Sequence, residues 1–105
     1  MNGHRRHAAA RAALVRELEL DGSVVLRLTG PSHVDLVRIA PSGRVSFYEI
    51  KTSVRENGPP GLGLTEGERV MAEWAWSHSV PYVVARFHVS NAGGVETVRR
   101  VTERS

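Results

Sequence analysis

Val34-Asp35-Leu36-Val37-Arg38-Ile39-Ala40-Pro41-Ser42-Gly43-Arg44-Val45-Ser46-Phe47-Tyr48-Glu49-Ile50-Lys51-Thr52 is two β-branched runs around a turn, and its reading decides the fold. Proline at the first turn position and glycine at the third fit a three-residue hairpin loop, a type I turn closed by a left-handed glycine. With Pro41, Ser42 and Gly43 in the loop, Ala40 pairs with Arg44, and Asp35 falls directly opposite Glu49. Opposite partners carry Cβ atoms about 4.5–5.5 Å apart on one face of a sheet. Lys51, two residues beyond Glu49, projects from that same face.

Two carboxylates placed opposite each other repel, so the pairing needs a compensating charge. Lys51 supplies part of it. A hard divalent cation, Mg²⁺ or Mn²⁺, supplies more, because such ions take oxygen ligands from one or two carboxylates and fill the rest with water and phosphate. In that arrangement Asp35 and Glu49 are the metal ligands and the Ile50 carbonyl is a third. The metal lowers the pKa of a bound water, and the Lys51 ammonium orients that water or stabilises charge on a phosphate. The plain alternative is an exposed hairpin face whose three charges form a surface ion pair worth about 0–1 kcal/mol.

Lys51 stands out for a second reason. Thirteen of the fourteen basic residues are arginine, and this is the only lysine. A compact, strongly hydrated ammonium does what a planar guanidinium cannot where a point charge must reach a water or a phosphate oxygen.

Working outward, residues 5–20 are rich in alanine, leucine, arginine and glutamate and are expected to form a helix. Its charges oppose the macrodipole, with Arg5 and Arg6 at the start and Glu17 and Glu19 at the end, so they are expected to face other partners or lie in solvent. Asp21-Gly22 ends that helix, and residues 23–29 read as a strand. Residues 53–63, with Asn57-Gly58-Pro59-Pro60-Gly61, form a loop. Thr65-Glu66-Gly67-Glu68 is a capping box that starts a second helix over 66–78, with Val70, Met71, Trp74 and Ala75 as its buried stripe. Residues 82–89 and 95–101 are two further strands around an Asn91-Ala92-Gly93-Gly94 turn. Helix, three strands, helix, two strands predict an α/β sandwich around a mixed sheet.

At 105 residues the chain is expected to form one domain spanning 1–105. The absence of cysteine removes disulfides and thiolate metal sites and makes a cytoplasmic setting the expectation. No run is long enough for a membrane span, and the alanine-rich start is broken by Arg11, Glu17 and Glu19, unlike a secretory leader. Net charge +3 and a pI near 10.2 point to a polyanionic partner.

His33-Val34-Asp35-Leu36-Val37 and Tyr48-Glu49-Ile50-Lys51-Thr52 resemble the two core motifs of the PD-(D/E)xK nuclease superfamily. The element order resembles its restriction-endonuclease-like α-β-β-β-α-β core, a mixed central sheet flanked by helices. From Asp35 to Val89 the chain is most similar to the nuclease-like domain at the C-terminus of NO VEIN-type proteins, where a Glu-x-Lys strand leads to a helix start like Leu64-Thr65-Glu66-Gly67-Glu68. Archaeal Holliday-junction resolvases are a more distant likeness. The resemblance implies metal-dependent hydrolysis of DNA phosphodiesters, with Asp35 and Glu49 as ligands and Lys51 as base or electrostatic partner. Two positions depart from the pattern. Arg11 stands where resolvase-like members carry a glutamate, and Pro31-Ser32-His33-Val34 precedes Asp35 in place of a Pro-Asp pair.

Accessory candidates are Glu17 on the first helix, His33 at the strand entry and Glu68 at the second helix start. Each also has a structural explanation: helix surface, backbone hydrogen bond and capping box. Arg5, Arg6, Arg11 and Arg55 are the candidate nucleic-acid contacts. A small domain covers little duplex alone, so a homodimer on DNA is the expected assembly. A catalytically inactive nuclease-fold module that binds nucleic acid or a protein is the alternative, favoured by Arg11.

Overall fold

The computed structural model describes residues 2–30, 32–54 and 63–102. Helix α1 (Gly3–Leu18) starts where Asn2 caps it, the Asn2 side chain accepting the Arg5 N–H at 2.9 Å. It tightens into a 3₁₀ turn (Glu19–Asp21), which Gly22 ends at φ 87°. Glycine is the residue that adopts this left-handed conformation without steric cost.

Strands β1 (Val24–Arg27), β2 (Leu36–Ile39) and β3 (Val45–Ser53) form an antiparallel meander. The hairpin register is the expected one, Ile39 against Val45 through Leu36 against Tyr48. The Ala40 N–H donates to the Arg44 carbonyl at 2.9 Å, and Gly43 closes the loop at φ 88°.

Helix α2 (Glu66–Ser77) then crosses over, so β4 (Tyr82–Val89) runs parallel to β3, and β5 (Val95–Thr102) returns antiparallel on β4. A parallel neighbour requires such a crossover, since no tight turn can reverse the chain twice. The result is an α/β fold with a five-stranded mixed sheet in sequential order, β1-β2-β3-β4-β5. Residues 55–62 of the expected 53–63 loop, with Arg55 among them, lie outside the described residues. No described helix is long and apolar enough to cross a membrane.

Strand alternation divides the core by face. Ala10, Leu14, Val15 and Leu18 of α1 pack on Leu36, Tyr48, Ile50, Ala85, Phe87 and Val89. On the opposite face Ala72 and Ala75 of α2 pack with Val34, Tyr82 and Val84. This corrects the expected stripe of α2. Ala75 is buried and Met71 partly so, but Val70 is 61% and Trp74 50% exposed. The side of α2 that meets the sheet presents small residues, and Trp74 lies at its margin, stacked on Phe47 and His78 at ring separations of 6.4 and 4.1 Å.

Candidate functional site

Asp35 lies one residue before the first paired residue of β2. There the ladder leaves its ideal form: the Asp35 N–H donates to the Tyr48 carbonyl at 2.8 Å. Its Oδ2 accepts the Ile50 N–H at 2.7 Å. The expected face-to-face pair of Asp35 and Glu49 is thus corrected to a strand-end arrangement. The two carboxyls still meet through a hydrogen bond. Ile50, expected to offer a carbonyl, touches the site through its N–H.

Glu49 is 8% exposed and lies between two other acids, hydrogen-bonded to Asp35 and to Glu68. Burial, with the charges of Asp35 and Glu68 added, pushes its carboxyl up to about 9. Glu49 therefore carries a proton at neutral pH, and its single O–H serves one neighbouring carboxylate at a time. Burial also works to raise Asp35 and Glu68, but their hydrogen bonds outweigh it. His7 and the Ile50 N–H hold Asp35 below the usual carboxylate value, and Lys51 and the Thr65 N–H do the same for Glu68.

Lys51 reaches from β3 to the start of α2, where its ammonium donates to both oxygens of Glu68 at 2.8 and 3.0 Å. Glu68 completes the expected capping box as well, its carboxylate accepting the Thr65 N–H at 2.8 Å while Thr65 Oγ1 accepts the Glu68 N–H. One residue thus fixes the helix start and holds the sole lysine. The capping box was expected from the sequence, and the contact with Lys51 was not.

His33 adopts a left-handed backbone at φ 59°, uncommon for a residue with a Cβ. Its carbonyl accepts the Tyr82 hydroxyl at 2.8 Å. Its ring lies over Gly67, so close that a Cβ there would sit 2.4 Å from two ring atoms. His33 packs on the first turn of α2 beside Glu68.

Glu17 is placed elsewhere. It pairs with Arg100 on β5, which holds its carboxyl below the ordinary value. The residue of α1 at the site is His7, whose Nε2 is 3.3 Å from Asp35 Oδ2. Ten residues separate the two, about 15 Å along a helix. His7 was not among the residues singled out from the sequence. The available signal was spacing: His7, Ala10, Leu14 and Leu18 share one helical face, and the last three are buried. Arg5, Arg6 and Arg11 fall within about one turn of His7, with Arg5 exposed.

Arg86 was also missed. It neighbours Lys51 in the parallel ladder and is only 2% exposed, a charge inside the apolar run Val83-Val84-Ala85-Arg86-Phe87.

Asp35 and Glu49 offer the hard oxygen donors that Mg²⁺ or Mn²⁺ accepts. No group of three or more acidic, histidine or cysteine side chains is arranged to hold a metal among the described residues. The chain would therefore give such an ion two carboxylates and leave the remaining positions to water and substrate, which is how Mg²⁺ is commonly bound. Comparison with protein-family models and with curated proteins finds no match.

Proposed function

We propose that this domain is a metal-dependent DNA endonuclease with a restriction-endonuclease-like core. The observation that carries the reading is Glu49, a carboxyl buried between Asp35 and Glu68 and raised to about 9, with the sole lysine one hydrogen bond away on Glu68. Burial is the larger cause of that rise, and the neighbouring Asp35 and Glu68 carboxylates add a local excess of negative charge that a cation would answer. A bound Mg²⁺ or Mn²⁺ would supply positive charge and a nucleophilic water. Asp35 and Glu49 would hold the ion, Glu49 giving up its proton, so metal affinity should rise with pH. Lys51 keeps its ammonium at the carboxylates and is the group to hold a phosphate oxygen or position the attacking water. Arg5, Arg6 and Arg11 flank His7 and stand where a phosphate backbone would approach. Two copies acting as a homodimer would reach both strands of a duplex.

The test is a cleavage assay on plasmid, single-stranded and branched DNA with Mg²⁺ or Mn²⁺ against an EDTA control. Metal-dependent cleavage is expected, and Lys51→Arg should lower its rate by about 10²–10³ while DNA binding persists. Cleavage at the wild-type rate by Lys51→Arg rejects the catalytic role of Lys51.

One set of observations favours a second reading, an inactive nuclease-fold module that binds nucleic acid. Asp35 Oδ2 is already engaged by His7 and Ile50, Lys51 is bound to both Glu68 oxygens, and Arg11 stands in place of a helix acid. DNA binding that weakens steeply with salt, without cleavage, would select it. Neutralising Arg5 and Arg6 should then reduce the slope of log K against log salt by about 2.

A further inference from the structure

At the turn end of the β2–β3 hairpin a second charged region opens on the α1 face of the sheet. It is a cleft of about 260 Å³ lined by Arg38, Arg44, Ser46, Tyr48, Pro81 and Val83, among others. The register sets Arg38 opposite Ser46, and Arg44 is the diagonal neighbour of Arg38 on that face. Two cations so placed repel, and of the two only Arg38 has a carboxylate partner among the described residues. Arg38 is held by Asp21 and by Ser23 Oγ at 2.9 Å. The Arg44 guanidinium and the Ser46 hydroxyl have no hydrogen-bond partner among the described residues. The cleft thus presents a free planar fork, a free hydroxyl and a second guanidinium fixed in place, beside an apolar wall of Pro81 and Val83.

We propose that this cleft binds a small phosphomonoester, its phosphate on Arg44, Ser46 and Arg38 and its organic part against Pro81 and Val83. Phosphate matches the donors better than a carboxylate does, because its three terminal oxygens accept from a guanidinium fork and a hydroxyl together. Its dianionic charge also answers the one that Asp21 leaves uncompensated. The volume lies just below the range of about 300–1,000 Å³ usual for drug-sized ligands, so the organic part is no larger than a nucleoside. The cleft is separate from the carboxylate site. Arg44 immediately precedes β3 and Lys51 lies seven residues further along it, about 23 Å away.

The experiment is an amide chemical-shift titration of the whole chain with adenosine 5′-monophosphate, inorganic phosphate and adenosine as separate probes. The monophosphate is expected to shift Arg44, Ser46 and Val83 in a saturable way, and adenosine alone to bind at least about ten-fold more weakly. Arg44→Gln, an exposed change that leaves the core intact, should weaken the monophosphate about ten-fold. Arg69→Gln removes the same charge from the outer side of α2 and should leave affinity within about two-fold. Inorganic phosphate binding as tightly as the monophosphate keeps the phosphate site and assigns it to the free anion. Absence of saturable shifts with either phosphate probe overturns the proposal. So does adenosine binding as tightly as its monophosphate, or an equal loss in Arg44→Gln and Arg69→Gln.

Discussion

The two faces of the sheet are built for different ends. Where α1 covers it, the first face is dry: Ala10, Leu14 and Leu18 lie on Leu36, Ile50, Ala85 and Phe87, all nearly inaccessible to water. The α2 face begins as core at Tyr82 and Val84, then gives way to Glu49, Lys51 and Arg86. Residues one apart on β3 fall on opposite sides of this division, Ile50 in the core and Glu49 and Lys51 among the acids. The α1 face is arranged to lower free energy by burial. The α2 face holds buried charge whose desolvation the first face must offset.

That contrast is broken most severely from the α1 side. Leu14→Ala empties a fully buried position and should cost about 2–5 kcal/mol, read as a fall in the urea midpoint with an unchanged slope. Val70→Ser, on the outer side of α2, should stay within about 0.5 kcal/mol. Comparable losses in both would mean that α2 buries more than its exposure indicates.

The α2 face should respond in the opposite direction. Glu49 keeps its proton up to about 9 in the folded chain, whereas its ordinary value is 4.5. The folded state therefore binds the extra proton between those limits, and the stability this contributes is full below pH 4.5 and lost as pH rises through 9. Glu49→Gln imitates the protonated form without titrating. It should match wild type near pH 4.5 and exceed it by roughly 1–3 kcal/mol near pH 9, measured by denaturant unfolding. A constant difference across that range would remove the raised carboxyl from the account.

The smallest effect belongs to the exposed pair between α1 and β5. Glu17→Gln should cost no more than about 1 kcal/mol and less in high salt, because the pair is half in solvent. A larger loss would show that Glu17 and Arg100 hold the helix on the sheet.

The legibility of these regions in the sequence differed for physical reasons. The hairpin was readable because a Pro-Ser-Gly loop allows few geometries, and turn geometry propagates along a ladder as far as hydrogen bonding continues. It carried correctly to Leu36 and Tyr48 and failed at Asp35, where the strand ends and side-chain hydrogen bonds replace the ladder. The capping box was equally local and equally legible. The stripe of α2 was read in part: Ala75 was expected and is buried, but size and hydrophobicity favoured Trp74 and Val70 where close approach to the sheet selected Ala72. His7 and Arg86 escaped because each acquires its meaning from residues far along the chain, 28 positions away for His7 and Asp35.

The elements, their order, the hairpin register up to Leu36 and Tyr48 and the capping role of Glu68 follow from interactions among residues close in the chain. That Lys51 meets Glu68, that Glu17 turns to Arg100 and that His7 reaches Asp35 emerges in the folded chain alone. Those contacts depend on where the helices lie across the sheet. That placement follows from packing of whole faces, and no local spacing encodes it.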